Sequence, residues 1–286
     1  MVSVVIPAYN EGQTIERCLR AMLRGAEPGE LEIVVVANGC HDDTADRARK
    51  FEADGVTVIE TPVGSKVGAL NLGDDAAKTF PRFYIDADID VTVEAIREVA
   101  ELLRRDEFVL AAPRPVVDYK ARSRLIRSFY TVWTSLPFFT EGLIGAGIYA
   151  FSEQGRARFD RFPDIIADDE FARLQAAPHE RGNARRGTFT ITPPTTLRGL
   201  LKIFTRARAG MYQLHQTFPE LVDNDNTSSG RTLEIIARSP RLWPHAPVYL
   251  GLMFAAKLGA HRKLQRNEAH KWDRDDTARA EFGRAE

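Results

Sequence analysis

The chain has 286 residues, 44% of them hydrophobic and 28% charged, a balance that excludes wholesale disorder and is enough for one large core or two modest ones. Its formal net charge of -1 argues against nucleic acid as a partner, so any anionic substrate must be met by a local field. Cys18 and Cys40 match neither a disulfide framework nor a zinc spacing, and the opening run lacks the basic and long apolar parts of a secretory signal; a reducing, cytoplasmic location is expected.

Val2 to Ile6 is a β-branched apolar run that Pro7 is expected to stop, and Glu11 to Arg24 carries Ile15, Cys18, Leu19, Met22 and Leu23 at helical spacing. Leu31 to Val36 reads as a second buried strand. It ends in a turn where Asp42 or Asp43 caps a helix expected to run to about Asp54. Val56 to Glu60 is a third strand, Ser65 to Lys78 a helix weakened by Gly68 and Gly73, and Arg82 to Ile85 a fourth strand. Such alternation predicts an α/β fold, a mostly parallel sheet with helices on both faces. Ligands of such sheets bind beyond the carboxyl ends of the strands, where Tyr9, Asn10, Glu11, Asn38, Gly39, Lys66, Asp86 and Asp88 would gather.

Val93, Ile96, Ala100 and Leu103 mark the next helix and Phe108 to Ala112 the next strand, after which the alternation fades. Residues 121–141 are rich in aromatics, and residues 142–151 form an apolar run whose glycines indicate close backbone approach to a ligand or simply a bent core strand. Asp168-Asp169-Glu170 heads a short helix, where acidic side chains also suit the helix N-terminus. Thr188 to Thr192 reads as a strand halted by Pro193, and Thr195 or Thr196 caps a helix with Arg198, Lys202 and Arg206 on one face. Phe218 to Arg231 reads as a mobile loop. Pro247 to Ala256 is apolar all round yet short of the roughly 20 residues that span a bilayer. A buried helix, a homo-oligomer contact and a peripheral membrane contact through residues 247–260, at the inner face, are all compatible with it. The tail after Asn267 is charged and expected to be exposed.

The chemistry is expected to centre on Asp86-Ala87-Asp88, at the end of the fourth strand. Two carboxylates one residue apart suit a hard divalent cation that keeps positions for phosphate oxygens; a solvated acidic turn is the plainer alternative.

Together these stretches resemble family 2 glycosyltransferases, inverting enzymes with the GT-A fold. Val2-Ser3-Val4-Val5-Ile6-Pro7-Ala8-Tyr9-Asn10-Glu11 is similar to that family's first strand and nucleotide-binding loop, and Val34 to Thr44 is similar to its second-strand motif, with Ala37 and Asn38 where paired acids are common. The resemblance implies a nucleoside diphosphate sugar bound by Pro7, Ala8, Tyr9, Glu11, Asn38, Lys66, Asp86, Ala87 and Asp88. A uridine donor is favoured and a guanosine one remains open, since an amide offers a base both donor and acceptor. Asp86-Ala87-Asp88 matches the family's D-x-D motif, implying Mg²⁺ or Mn²⁺ with Asp88 as first ligand, Asp86 as its partner and Asp90 as a register alternative. Gly145-Ala146-Gly147 is similar to the acceptor-side strand, and Asp168-Asp169-Glu170 to the motif that supplies the general base, Asp169 by position with Asp168 as the neighbour. More faintly, Arg206 and Arg208 resemble phosphate-contacting arginines, and His215 a histidine completing the metal shell.

The implied organisation is a transferase domain over residues 1–215, its nucleotide-sugar half 1–112 and acceptor half 113–215, followed by a helical C-terminal region, 216–286. The implied reaction moves a sugar to a hydroxyl acceptor of unspecified identity. A sugar-nucleotide pyrophosphorylase and an inactive nucleotide-sugar-binding protein are the alternatives; the first would want a Gly- and Arg-rich loop after strand one, which Ala8-Tyr9-Asn10-Glu11-Gly12 is not.

Overall fold

The computed structural model describes residues 1–140, 142, 144–225 and 229–265; the charged tail and Arg266 lie outside them. In chain order the elements are β1 (Val2–Ala8), α1 (Ile15–Leu23), β2 (Leu31–Asn38), α2 (Thr44–Arg49), β3 (Val56–Thr61), α3 (Lys66–Ala76), β4 (Arg82–Ile85), α4 (Val93–Arg104) and β5 (Leu110–Val117). There follow α5 (Arg124–Trp133), α6 (Pro137–Thr140), β6 (Ile148–Phe151), α7 (Glu153–Arg156), α8 (Asp168–Leu174), β7 (Arg181–Ile191), α9 (Leu197–Thr217), α10 (Ser229–Arg238) and α11 (Ala246–Gln265).

Two compact units interleave along the chain: residues 1–116, 143–164 and 168–190 form one, and residues 117–142, 165–167 and 191–286 the other. Residue 215 lies inside α9. The first unit holds a 7-stranded sheet in the order β3-β2-β1-β4-β6-β5-β7. β1 pairs in parallel with β2 and β4, and β2 with β3, while β6 runs antiparallel to β4 and β5. Every residue of β1 is buried, which requires cover on both faces of the sheet. α3 packs on β1 and β2 at such close range that a Cβ on Gly73 would stand 2.3 Å from Val5 Cγ1. The glycine that weakens the helix pattern is thus what lets the helix lie on the sheet.

Several expected boundaries moved. β1 continues through Pro7 because β4 pairs with β1 only over Ser3–Val5, leaving Pro7 paired on the β2 side alone, where a missing N–H is tolerated. Glu11 lies before α1, its N–H donating to Thr44 Oγ1 at 2.8 Å. The helix expected to reach Asp54 breaks into α2 and a 3₁₀ turn, Glu52–Asp54, closed by Gly55 at φ 89°. β5 starts at Leu110, later than expected, and β7 starts at Arg181, earlier, since its first half is too polar for a strand signal. A 3₁₀ turn over Pro219–Asn224 and the start of α10 occupy most of the expected mobile loop; its residues 226–228 lie outside those described.

In the second unit α5, α9 and α11 pack together around Phe129, whose ring centroid lies 4.8 Å from that of Phe204 and 5.2 Å from that of Tyr249. The aromatics of residues 121–141 are therefore largely core: Phe129 is 0% and Tyr130 5% exposed. α11 leaves Leu250, Phe254 and Leu258 exposed at four-residue spacing, a single stripe. No described helix is long and apolar enough to cross a membrane.

Beside the amino end of β4 lies a buried ionic knot. Asp74 on α3 accepts hydrogen bonds from Arg82 Nη1 and Arg156 Nη2, both at 2.6 Å, and from the Tyr84 hydroxyl. Burial alone would raise its pKa, but Arg156, Tyr84 and Arg82 outweigh that and hold it below the usual carboxylate range. The folded carboxyl is then more acidic than the unfolded one, so its stabilisation is present at neutral pH and lost as pH falls below about 4. Truncation strands two guanidinium groups, and Asp74→Ala is expected to cost about 3 kcal/mol in urea denaturation at pH 7. A loss under ~0.5 kcal/mol would show the knot to be unimportant.

Candidate active site

The ends of β1 and β2 are locked together first. Asn38 Nδ2 donates to the Ala8 carbonyl at 2.8 Å, and Asn10, in the left-handed region at φ 53°, accepts from His41 N at 2.8 Å. Glu11 Oε2 accepts from Thr14 Oγ1 at 2.7 Å. Asn38, Ala8 and Glu11 are 3%, 0% and 5% exposed, so the Asn38 amide donor is spent inside the protein rather than held out to a base. The Tyr9 ring lies beside Gly64 of the β3–α3 loop.

α3 begins at Ser65, whose Oγ accepts from Gly68 N at 3.0 Å, and this cap sets Lys66 in the first turn, at the sheet's carboxyl edge. Lys66 Nζ stands 3.0 Å from Asp86 Oδ1 and 3.1 Å from Asp168 Oδ2, joining the end of β4 to the start of α8. Burial would lower the Lys66 pKa, but the charges of Asp168, Asp86 and Asp169 outweigh it and raise it. Burial raises Asp86 against the pull of Lys66, with Asp88 adding to the rise. Its side chain nevertheless keeps 36% of its surface open to the cleft, which tempers the effect. Asp168, with a side chain 6% exposed, is pushed by burial up to about 6 despite Lys66, and Asp169 adds to the push.

The segment before β6 supplies the wall. Gly145, Ala146 and Gly147 have φ of 98°, 56° and 94°, a left-handed run open to glycine and costly for the alanine between. The run brings Gly147 O to the Asp86 amide at 2.8 Å and Gly145 against Asp169, where an added Cβ would lie 3.0 Å from Asp169 Oδ2. One cleft is thus lined by Pro7, Lys66, Asp86, Gly147, Asp168 and Asp169 together with Leu70, Tyr84, Ile85 and Tyr149.

Asp88 follows the buried Ala87, 3% exposed, and its carbonyl accepts from Arg17 Nη2 at 3.2 Å. Asp90 is bound to Arg17 Nε at 2.8 Å, which ties the register alternative to α1. Among the described residues no group of three or more His, Cys, Asp and Glu could hold a metal ion by itself. The Asp86/Asp88 pair fits a hard cation that takes one or two carboxylates and fills its shell with water and phosphate oxygens. Arg206, Arg208 and His215 lie on α9 in the other unit, where His215 Nε2 stands 3.7 Å from Asp225 Oδ2. Sequence reasoning missed Tyr149 and Tyr84. Their signal was a tyrosine in each of two short apolar strands, and their Cα atoms pair across β4 and β6.

A parallel sheet with acidic residues at the carboxyl end of its fourth strand, and an antiparallel strand inserted beside it, is the GT-A arrangement. Residues 3–163 match the Glycosyl transferase family 2 model, and the chain belongs to that family. It is 31% identical over 114 residues to glycosyltransferase AglD of Haloferax volcanii, a match that covers 37% of this chain and 18% of that protein. The fold is similar to that of the mannosyltransferase PcManGT from Pyrobaculum calidifontis in complex with GDP-Man and Mn²⁺: TM-score 0.60, 19% identity, 99% of this chain and 78% of that one. It is also similar to glucosyl-3-phosphoglycerate synthase from Mycobacterium tuberculosis in complex with Mn²⁺, UDP and glucosyl-3-phosphoglycerate: TM-score 0.52, 20% identity, 76% of this chain and 79% of that one.

The raised Asp168 pKa has a measurable consequence. The folded carboxyl keeps its proton at pH values where the unfolded one has lost it, so its contribution to stability is complete below pH about 4 and is lost as pH rises through about 6. Thermal melts of the ligand-free protein should decline across that window, and Asp168→Asn should make the decline shallower. An unchanged slope would mean that Asp168 titrates as an ordinary carboxylate.

Proposed function

We propose that the protein is a metal-dependent, inverting glycosyltransferase that moves a sugar from a nucleoside diphosphate to a hydroxyl acceptor. The observation that carries this reading is the single cleft in which Lys66 joins Asp86 of the D-x-D turn to Asp168, with Asp169 beside it. Asp88 and Asp86 would hold Mg²⁺ or Mn²⁺, which when bound would offset the charge that grows on the leaving diphosphate. Asp168 is held by Lys66, so Asp169 is the carboxylate left to act as general base. It takes the proton of the acceptor hydroxyl as that oxygen attacks the anomeric carbon, and the bond to the diphosphate breaks on the opposite face, inverting the centre. Lys66 keeps a positive charge between the two ends of the reacting system.

The two similar structures hold GDP-Man in one case and UDP in the other. With the Asn38 donor turned to Ala8, base recognition falls to other groups of the β1 loop, and both donor classes remain in the proposal. The exposed Leu250, Phe254 and Leu258 stripe of α11, with Lys257, Arg262 and Lys263 on the same helix, supports a peripheral membrane contact or a second copy of the chain, and vesicle flotation against light scattering separates the two.

Asp88→Ala and Asp169→Asn are each expected to lower kcat by about 10²–10⁴-fold while the fold, read by circular dichroism, is retained. Release of nucleoside diphosphate in a coupled assay supports transfer; release of pyrophosphate instead supports the pyrophosphorylase reading. Full turnover in either variant would remove that residue from the mechanism.

A further inference from the structure

α11 has two faces with different surroundings. The inner face carries Ala246, Tyr249, Ala256 and Ala260, all buried, and the helix packs on α5 and α9. The approach is close: a Cβ added to Gly259 would stand 3.0 Å from Thr205 Cγ2 of α9. The apolar residues of the outer face are therefore not the remainder of a loose core. Leu250, Phe254 and Leu258 are 39%, 64% and 44% exposed there. Trp243, 58% exposed, stands just before the helix with its indole N–H donated to the Ile236 carbonyl at 3.1 Å, so that the ring is what it offers to solvent. Single exposed apolar side chains are ordinary, but an in-line stripe with a tryptophan at its head marks an interaction surface.

The charge around the stripe decides what covers it. Lys257, His261 and Arg262 are exposed at three- and four-residue steps from Phe254 and Leu258, on the same face of α11. α5, α9 and α11 carry arginines or lysines but not one aspartate or glutamate, in a chain whose 40 acids slightly outnumber its 39 lysines and arginines. The acid of α10, Glu234, is paired with Arg238 at 2.7 Å. These helices thus form a cationic region on a nearly neutral chain. A second copy laid on the same stripe would bring Lys257 and Arg262 of both chains into one contact, where like charges oppose association. A surface that is apolar in its interior and anionic at its face meets both features. Acyl chains take Leu250, Phe254, Leu258 and the Trp243 ring, while lipid phosphates take Lys257 and Arg262, whose long stems let the charge reach outward. From Leu250 to Leu258 the stripe covers about 12 Å, which suits a helix lying in the plane of the headgroups.

We propose that the outer face of α11 docks the protein onto the surface of a bilayer that carries anionic lipids. Of the two occupants considered for this stripe, charge selects the bilayer. The assignment rests on the helices of the second unit alone, so it stands or falls apart from the transferase chemistry.

The test is flotation and titration of the full chain with vesicles of phosphatidylcholine, alone or mixed with phosphatidylglycerol, at about 0.1 M salt. The protein is expected to float with the anionic vesicles and to bind the neutral ones at least about 10-fold more weakly. Lys257→Gln/Arg262→Gln should weaken anionic binding about 10- to 30-fold, and Leu250→Gln/Phe254→Gln/Leu258→Gln by at least about 10-fold. Both variants should keep the melting temperature of the wild type, because the replaced side chains already face water; should the triple variant melt lower, the charge variant carries the test. Equal binding to both kinds of vesicle would overturn the choice of an anionic surface. Undiminished binding of both variants would place the contact elsewhere on the chain and overturn the proposal. A wild type that fails to float overturns it as well: a dimer in light scattering that the triple variant abolishes would then assign the stripe to a second copy, and a monomer would leave it to a protein partner or to the segment after Gln265.

Discussion

The site depends on one ammonium group placed between carboxylates. Lys66 stands within about 3 Å of both Asp86 and Asp168, and its charge offsets part of the cost of burying several acids in one cleft. The constraint reaches outward through the fold. Lys66 holds its place because Ser65 caps α3, and α3 holds its own because Gly73 lets it lie against β1. Asp86 is placed by β4, and Asp168 by the start of α8. The clamp therefore couples three elements that are distant in sequence, and it works against the burial that raises the pKa of Asp168.

Two further devices keep those elements in register. On one side the left-handed Gly145-Ala146-Gly147 run brings backbone against Asp86 and Asp169, a strained conformation that persists because the surrounding sheet over-determines it. On the other side Asp74 gathers Arg82, Arg156 and Tyr84 behind β4. That knot ties α3, β4 and α7 at a depth where the hydrogen bonds are little screened. Stacking of Tyr84 on Tyr149 then carries the order of the knot to the wall of the cleft. Stability and chemistry share the same residues, so their substitutions will be read in both melting and binding.

Much of the first unit was legible in the chain. β-branched runs and helical periodicities gave β1 to β4 and the helices between them to within a few residues, because strands buried on both faces leave an unbroken apolar signal. The motif residues Pro7, Lys66, Asp86, Asp168 and Asp169 do converge. Less legible were the elements set by partners rather than by local pattern: β1 passing through Pro7, β7 starting in a polar stretch, and the aromatic segment 121–141, which largely packs into the core of the second unit. Asn38 illustrates the same limit. Its side chain chemistry permitted a base contact, whereas its neighbour Ala8 O took the donor.

The sequence by itself determined the family, the sheet of alternating strands and helices, and the chemical types brought to the site, since these follow from residue order and local periodicity. Tertiary structure alone decided which acids share one cleft and which of them Lys66 clamps. The physical reason is that burial and charge at Asp86 and Asp168 come from residues far away along the chain, and a pKa is a property of that assembled surrounding rather than of the residue.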